Sequence, residues 1–300
     1  MPKRDHLIVL NKDEDSVSFI DIKSQKTVKK ISVGRNPHEV GLTPDGKFSY
    51  VSNAGGNSVS VIDNVKLREL ERLEHPEYQF PHDIKITPDG KKLYLAVTYA
   101  NKIFVYQRPS HKLLKIIPTT QRLSHMLAPT PDWKRIYVPN IGSHTVSVLN
   151  TQADEIELHI PVGKGPEGVA VHPAGKFVYV ANQDDNNLYV LSTKHHGIIA
   201  RHPLGTCPVR TVFSPHGRYA FIPNRESHDV SVVDTGRHWE IKRIPVGRWP
   251  GGVVFDPRGT RAYVANNKTN DISIIDVKTL QEVGRMDAGI HPDGIAYWSG

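Results

Sequence analysis

The sequence predicts an all-β fold: a seven-bladed β-propeller of four-stranded antiparallel blades in one domain spanning residues 1–300. Three observations carry this. A strand–turn–strand unit recurs along the chain, its spacing is nearly constant, and the two chain ends hold complementary fractions of one further unit. The clearest copy is VAVHPAGKFVYVAN (Val169–Asn182). VGLTPDGKFSYVSN, IKITPDGKKLYLAV and LAPTPDWKRIYVPN precede it, and TVFSPHGRYAFIPN and VVFDPRGTRAYVAN follow. Successive copies start at Val40, Ile84, Leu127, Val169, Thr211 and Val253, 44, 43, 42, 42 and 42 residues apart. A period of about 40–45 residues is the length of a four-stranded propeller blade.

The first two strands of each unit flank a turn such as Asp45-Gly46 or Asp89-Gly90, where Gly supplies positive φ. The third strand reads SVSVID (Ser58–Asp63), TVSVLN (Thr145–Asn150), DVSVVD (Asp229–Asp234) or DISIID (Asp271–Asp276). Its period of two predicts Val and Ile packing between neighbouring blades. The fourth strand runs into a Gly-containing approach such as PVGKGP. Unit two departs, with Val97 in place of the terminal Asn. At the N-terminus, HLIVLN, SVSFIDI and a segment from Thr27 supply strands two to four of a unit that lacks its first. Gly294–Trp298 supplies a first strand and no more. The predicted blades are therefore residues 40–83, 84–126, 127–168, 169–210, 211–252 and 253–294, closed by a composite of 295–300 with 1–39. Closure of this kind removes exposed sheet edges.

Composition narrows the function classes. The net charge is +7 with a pI near 9.3, which favours anionic ligands or surfaces. Acidic residues interleave with the basic ones (KDED, QDDNN, RESHD) and aromatics do not line up with them, which argues against a nucleic-acid groove. A single cysteine, Cys207, excludes an internal disulfide and a cysteine-based zinc site. No stretch of apolar residues is long enough to span a membrane. Leu7–Leu10 is too short for the core of a signal peptide, so the chain reads as a cytoplasmic monomer, or as exported if a signal was removed. There is no P-loop, dinucleotide fingerprint, HExxH or GxSxG.

The endings YVSN, YVPN, YVAN and FIPN, each followed by an SVSVID-like strand, resemble the bacterial YVTN-repeat family of seven-bladed propellers. The resemblance covers nearly the whole chain. It implies relationship to lactonases of the phosphogluconolactonase type, to streptogramin lyases, to haem-binding propellers with eight blades, and to surface-layer-like and DNA-binding propellers. A propeller is a scaffold, so function must be sought in the residues its loops carry.

In such a ring the first strand of each blade lines the central channel. The residue after the lead-in proline then forms one column: His38, His82, His125, Glu167, Val209, Gly251 and Asp293. Because the ring closes, Asp293 falls next to His38, and five consecutive blades present Asp293, His38, His82, His125 and Glu167. Three imidazoles between carboxylates are a ligand set for zinc, copper or iron. Equally, they are channel histidines that could bind water or act as catalytic bases. Glu39 and Asp83 are candidate partners that orient the imidazoles. A second column, three residues earlier, holds Arg35, Arg122, Lys164 and Arg248, with Arg210 nearby; these cations would attract an anionic ligand, on which Trp249, Phe80 and His291 could stack. His144 and His228 are expected on the top rim in solvent, His111, His195 and His196 in turns on the opposite face, and the repeated Asn bonded to loop backbone. The expectation is a site at the top of the channel that binds, hydrolyses or eliminates a small anionic substrate, with a lactonase-like hydrolase or a lyase as the enzyme class. The alternative is a non-enzymatic scaffold that binds a protein partner through its top face.

Overall fold

Alternation in the third strands decides how the sheets stack. In Ser58–Asp63, Val59 and Val61 join one hydrophobic cluster with Tyr50, Ile84, Leu95 and Phe104, while Ile62 joins another with Ile8, Leu10, Phe19 and Val51. Opposite faces of one strand therefore pack on opposite neighbours. Seven such clusters occupy the seven interfaces between adjacent blades. Each fully buried Val, Leu or Ile contributes roughly 1.5–3 kcal/mol.

The computed structural model describes residues 5–300. Seven four-stranded antiparallel sheets form a closed ring, and the described residues contain no α-helix, only three single 3-10 turns. We number the sheets blades 1–7. Blade 1 comprises Pro37–Leu42, Phe48–Asn53, Ser58–Asp63 and Arg68–Glu74. Blades 2 to 6 repeat the pattern, beginning at Pro81, Ala128, Pro166, Val212 and Pro250. Blade 7 is the predicted composite. Pro292–Ser299 pairs antiparallel with Asp5–Asn11, placing Leu7 opposite Tyr297 and Ile8 opposite Ala296, and Ser16–Asp21 and Lys26–Ser32 complete the sheet. In blades 3 and 5 the first strand is only two residues long.

Two polar columns tie the repeat together. In blades 1 to 4 the tyrosine of the repeat reaches the turn between strands three and four of the next blade. Tyr50 Oη lies 2.7 Å from His111 Nε2, Tyr94 Oη donates to Asp154 Oδ1 at 2.6 Å, and Tyr179 Oη lies 2.8 Å from His238 Nδ1. His111 and His196 thus serve these tyrosines, His196 through Tyr137 at 3.3 Å. At the other end of the blades, the residue before each third strand sits at positive φ and bonds the N–H of the following blade's lead-in loop. Asp15 bonds Asn36 N (2.8 Å), Asn57 bonds Phe80 N (3.0 Å), Asn101 bonds Leu123 N (2.7 Å), Asn186 bonds Cys207 N (2.7 Å) and Asn270 bonds His291 N (2.9 Å). Asn, Asp and His are the non-glycine residues most tolerant of this conformation. His144 and His228 occupy it as well: His144 Nδ1 accepts from Gly165 N at 3.1 Å, while His228 Nδ1 lies 2.9 Å from the Arg225 carbonyl and 3.3 Å from Trp249 N. His144 is exposed as expected, whereas His228 is half-buried.

The repeated Asn corrects the sequence expectation. Asn11, Asn53, Asn140, Asn182, Asn224 and Asn266 are all fully buried. Their amides donate to side chains of the third strand: Ser16 and Ser18, Ser58 and Ser60, Thr145 and Ser147, Asn187, Asp229 and Ser231, Asp271 and Ser273. Among the described residues only Asn11 also accepts from a backbone group, Gly289 N at 3.1 Å. In five blades a glycine on the lead-in loop lies against this Asn, so close that a Cβ would overlap it. Blade 2 replaces both members: Val97 stands for Asn, and Tyr78 fills the glycine's place, packing with Val97 and bonding Tyr106 Oη at 2.6 Å. The change is compensated as a pair. Val97→Asn alone should strand a buried amide beside Tyr78 and destabilise the protein by about 3 kcal/mol. Urea unfolding checks this, and an unchanged midpoint would contradict the packing described.

Candidate functional site

The channel residues owe their direction to a repeated irregularity. In blades 1, 2, 4, 6 and 7 the pairing of strands one and two slips at the residue after the lead-in proline, so His38, His82, Glu167, Gly251 and Asp293 lie in β-bulges. In blades 3 and 5 the strand is broken there, with isolated bridges at Ser124 and Pro208. A bulge frees one residue from the ladder and re-aims its side chain. Two residues before each bulge residue the backbone is left-handed: Asn36, Phe80, Leu123, Gly165, Cys207, Trp249 and His291 all have φ between 54° and 63°. That turn presents Phe80, Leu123 and Trp249 to the mouth of the channel.

These elements enclose a cup of about 350 Å3 at one end of the channel. Three columns line it: His38, His125, Glu167, Gly251 and Asp293 from the first column, the three apolar residues just named, and Lys12, Thr98, Ile141, Gln183, Arg225 and Asn267. The last set is the residue immediately after the repeated Asn, or after Val97 in blade 2. Sequence reasoning missed that column. Its signal was the same period, displaced by one residue from an Asn treated as structural.

On the floor of the cup one assignment of protons satisfies every imidazole contact. Lys12 Nζ donates to His38 Nε2 at 2.9 Å. His38 Nδ1–H then faces both Asp293 Oδ2 and His82 Nε2, each at 3.0 Å. His82 Nδ1–H donates to the carbonyl of His125 at 3.2 Å. The His125 ring stacks on His82 with centroids 3.6 Å apart, and its Nδ1 lies 3.1 Å from Thr98 Oγ1. The expected arc of Asp293, His38, His82 and His125 is therefore brought together. The ligand-type atoms that converge most closely belong to His38, Glu39 and His82, all within 4.8 Å of one another.

Glu167, the fifth member of the arc, is held by cations. Arg210 Nη1 donates to its Oε1 at 3.1 Å, and Arg225 Nη2 stands 3.4 Å away. Arg210 also reaches across the channel, where Nη2 bonds Glu39 Oε1. Glycines at the equivalent position of other blades let adjacent first strands approach closely. A Cβ on Gly252 would overlap the Asp293 carbonyl, and one on Gly294 the carbonyl of His38. Neither Glu39 nor Asp83 orients an imidazole by a hydrogen bond, contrary to the sequence expectation. Asp83 accepts from Lys85 Nζ (2.8 Å) and from Leu127 N (2.8 Å), taking the place of a ladder partner where the first strand of blade 3 is broken.

The cations expected at the rim lie elsewhere. Arg35 and Arg122 are exposed and fold back onto the carbonyls of Gly55 and Gly142, and Lys164 and Arg248 are exposed outside the cup. Trp249 does line the cup, with Arg225 and Lys268 over its ring at 5.8 and 5.0 Å. Cys207 lies near Gln183, and burial pushes its thiol up to about 11, so it is an inert thiol at neutral pH.

Burial decides the charge state of the floor. It drives His38 down to about 3, with Asp293 opposing the shift and Lys12, Arg210 and Arg225 reinforcing it. His82 and His125 are held well below the usual imidazole range by burial and by neighbouring cations and imidazoles. Burial would raise Asp293, but His38, Lys12, Arg210 and Arg225 together keep it ionised. Glu39 is pushed up to about 7 by burial, which Arg210 only partly offsets, with Asp83 and Asp293 adding to the rise. The imidazoles and Glu39 then pull stability in opposite directions with pH. An unfolded imidazole takes a proton near pH 6.5 while the folded one stays neutral, so that contribution is present above pH 6.5 and lost as pH falls. Each imidazole costs about 2 kcal/mol between pH 7 and 5. Glu39 stabilises fully below pH 4.5, and its contribution is lost as pH rises through about 7. Urea midpoints should therefore fall between pH 7.5 and 5, and fall more steeply in Glu39→Gln. A flat profile would contradict the neutral floor.

Comparison with known proteins places this geometry. The profile of the lactonase seven-bladed β-propeller family matches residues 117–290, and that of the YNCE-like β-propellers matches residues 3–128. No curated protein sequence matches the chain. Among solved structures, a chain of Kuenenia stuttgartiensis hydrazine synthase is 26% identical, with TM-score 0.81 over 90% of this chain and 92% of that one. A functionally unknown protein from Desulfotomaculum acetoxidans is 16% identical, with TM-score 0.86 over 98% and 99%. The Pseudomonas aeruginosa periplasmic gluconolactonase is 17% identical, with TM-score 0.78 over 98% and 99%. The last two likenesses are likenesses of fold. Among the described residues no helix is long and apolar enough to cross a membrane. With more than half of its length matched by one family profile, the chain belongs to the lactonase family of seven-bladed β-propellers.

Proposed function

We propose that the protein hydrolyses a small anionic lactone in the upper cup, with His38 as the general base. The observation that carries this is the His38–Asp293 pair at 3.0 Å, open to a cup that also holds Lys12 and Arg225. Family membership and the gluconolactonase likeness supply the reaction class. A carboxylate that fixes Nδ1–H leaves Nε2 as the basic atom and stabilises the imidazolium that forms.

At rest His38 is a weak base, because burial and the charges of Lys12, Arg210 and Arg225 disfavour its cation. An anionic substrate group that pairs with Lys12 and Arg225 neutralises two of those charges. It also draws Lys12 Nζ away from Nε2. Substrate binding thereby raises the proton affinity of the imidazole that must act. His38 Nε2 then takes a proton from water, the hydroxide adds to the lactone carbonyl, and the cationic donors stabilise the oxyanion. Collapse breaks the ring C–O bond, and the imidazolium returns its proton to the leaving oxygen, giving the hydroxy acid. Arg35, Arg122, Lys164 and Arg248, exposed outside the cup, add attraction for the anion at longer range. Trp249, Phe80 and His125 bound its bed.

The convergence of His38, Glu39 and His82 within 4.8 Å supports a second reading, in which these three side chains hold a divalent zinc, copper or iron ion. The donor types fit. Nitrogen ligands of a tetrahedral ion stand about 3.3 Å apart, close to the 3.0 Å between His38 Nδ1 and His82 Nε2. Glu39 would have to leave Arg210. A bound ion would act as a Lewis acid on the carbonyl. Glu167 and Asp293 would then be charge partners rather than ligands.

Acid release from a panel of carboxylate- and phosphate-bearing lactones tests both readings. His38→Gln and Asp293→Asn should each lower kcat by about 10²–10⁴-fold. A neutral lactone should lose kcat as well as affinity, since the activating charge is missing. Elemental analysis of untagged protein separates the metal reading: stoichiometric metal lost in His82→Gln supports it, and metal-free protein with full activity removes it. Absence of turnover on the whole panel would leave a binding scaffold and refute the hydrolase.

A further inference from the structure

The other end of the channel holds a second cavity of about 380 Å3 that the proposed reaction does not use. Its walls are apolar, formed among others by Val40, Leu127, Val171, Phe213, Val253 and Ile295. The channel is closed between the two cavities by the Glu39–Arg210–Glu167 bridge. The polar groups of this well lie toward that bridge: Glu39, Lys85, Arg210 and Thr211, whose buried Oγ1 has no hydrogen-bond partner among the described residues. Val40, Ala170, Val171, Val212 and Phe213 remain partly open to the well, although the blade interfaces beside them are fully closed.

The blind end presents both signs of charge with capacity to spare. Among the described residues Glu39 uses only Oε1, on Arg210, and its side chain is 13% exposed. Lys85 Nζ donates only to Asp83, leaving two N–H groups, and its side chain is 34% exposed. A ligand carrying a single charge gains little here. A lone carboxylate would meet Glu39 and Asp83 as well as Lys85, and a lone ammonium would meet Lys85 and Arg210 as well as Glu39. A group with both charges side by side meets each with its opposite, and an apolar substituent on it would cover the walls. Cavities of this size, mostly apolar with a few convergent polar groups, suit small molecules.

We propose that the lower well binds a small zwitterion with an apolar side chain, an aliphatic α-amino acid, with its ammonium on Glu39 and its carboxylate on Lys85. Occupancy places a cation against the carboxylate that shares Arg210 with Glu167, so the ligand acts on the floor of the upper cup through that bridge. The site does not depend on lactone hydrolysis, but it rests on a metal-free floor, because an ion held by His38, Glu39 and His82 would take the same carboxylate.

Calorimetric titration of the full chain with L-leucine, 4-methylpentanoate and 3-methylbutylamine tests this. Leucine should bind saturably, and each analogue, lacking one charge-assisted hydrogen-bonding group, should bind about tenfold more weakly or worse. Ala170→Phe, which fills the well, should abolish leucine binding, and Glu39→Gln or Lys85→Met should weaken it by about the same factor as removal of the matching ligand charge. Trp249→Ala, in the upper cup, should leave leucine binding unchanged. No binding of leucine at about 10 mM, weaker than any specific site of this kind, overturns the proposal. So does equal binding of either analogue, or binding lost in Trp249→Ala and kept in Ala170→Phe.

Discussion

Arg210 is the side chain on which the organisation of the channel depends. It is buried in the ring, bonded on one side to Glu39 and on the other to Glu167, and it divides the channel into two cavities. A buried guanidinium is tolerable only because its charge is shared by carboxylates held in place; removing one partner of such a pair costs about 3–5 kcal/mol. The blades supply that rigidity. Glu39 and Glu167 leave strands whose next apolar residues, Val40 and Val169, pack into interblade clusters.

The neutral imidazoles follow from the same crowding. A buried floor lined by Lys12, Arg210 and Arg225 disfavours imidazolium ions, so His38, His82 and His125 stay neutral and are joined by hydrogen bonds and stacking. Asp293 is the counterweight. Lys12 and Asp293 come from opposite ends of the chain and meet at His38 only because blade 7 is assembled from both ends. The closure that seals the ring thus also completes the site, and fold stability and site geometry are coupled through one sheet.

Most of the architecture was legible in the sequence because it repeats. The 42–44-residue spacing, the alternation in SVSVID-like strands and the truncated units at the two ends all survive in single copies. Asp293 beside His38 followed from ring closure alone. What the repeat hides is the direction of individual side chains. Arg210 reads as one more rim cation, yet it points inward across the channel. Lys12 and Arg225 read as members of mixed-charge surface runs, KDED and RESHD, yet they follow the buried Asn and turn into the cup. Arg35 and Arg122 sit in the column that sequence spacing favours, but a carbonyl in the neighbouring turn captures each guanidinium. Six of the sixteen histidines occupy left-handed turn positions, where the local backbone rather than any ligand selects them.

The central claim is a channel floor of neutral, hydrogen-bonded imidazoles, and nitrogen-15 NMR of the histidine side chains between pH 8 and 5 measures it most directly. The account predicts that His38, His82 and His125 stay neutral throughout, with the proton of His38 and of His82 on Nδ1, while surface imidazoles titrate around them. Protonation of His38 or His82 near pH 6.5, or a His38 proton on Nε2, would contradict the floor described here and the base assigned to it.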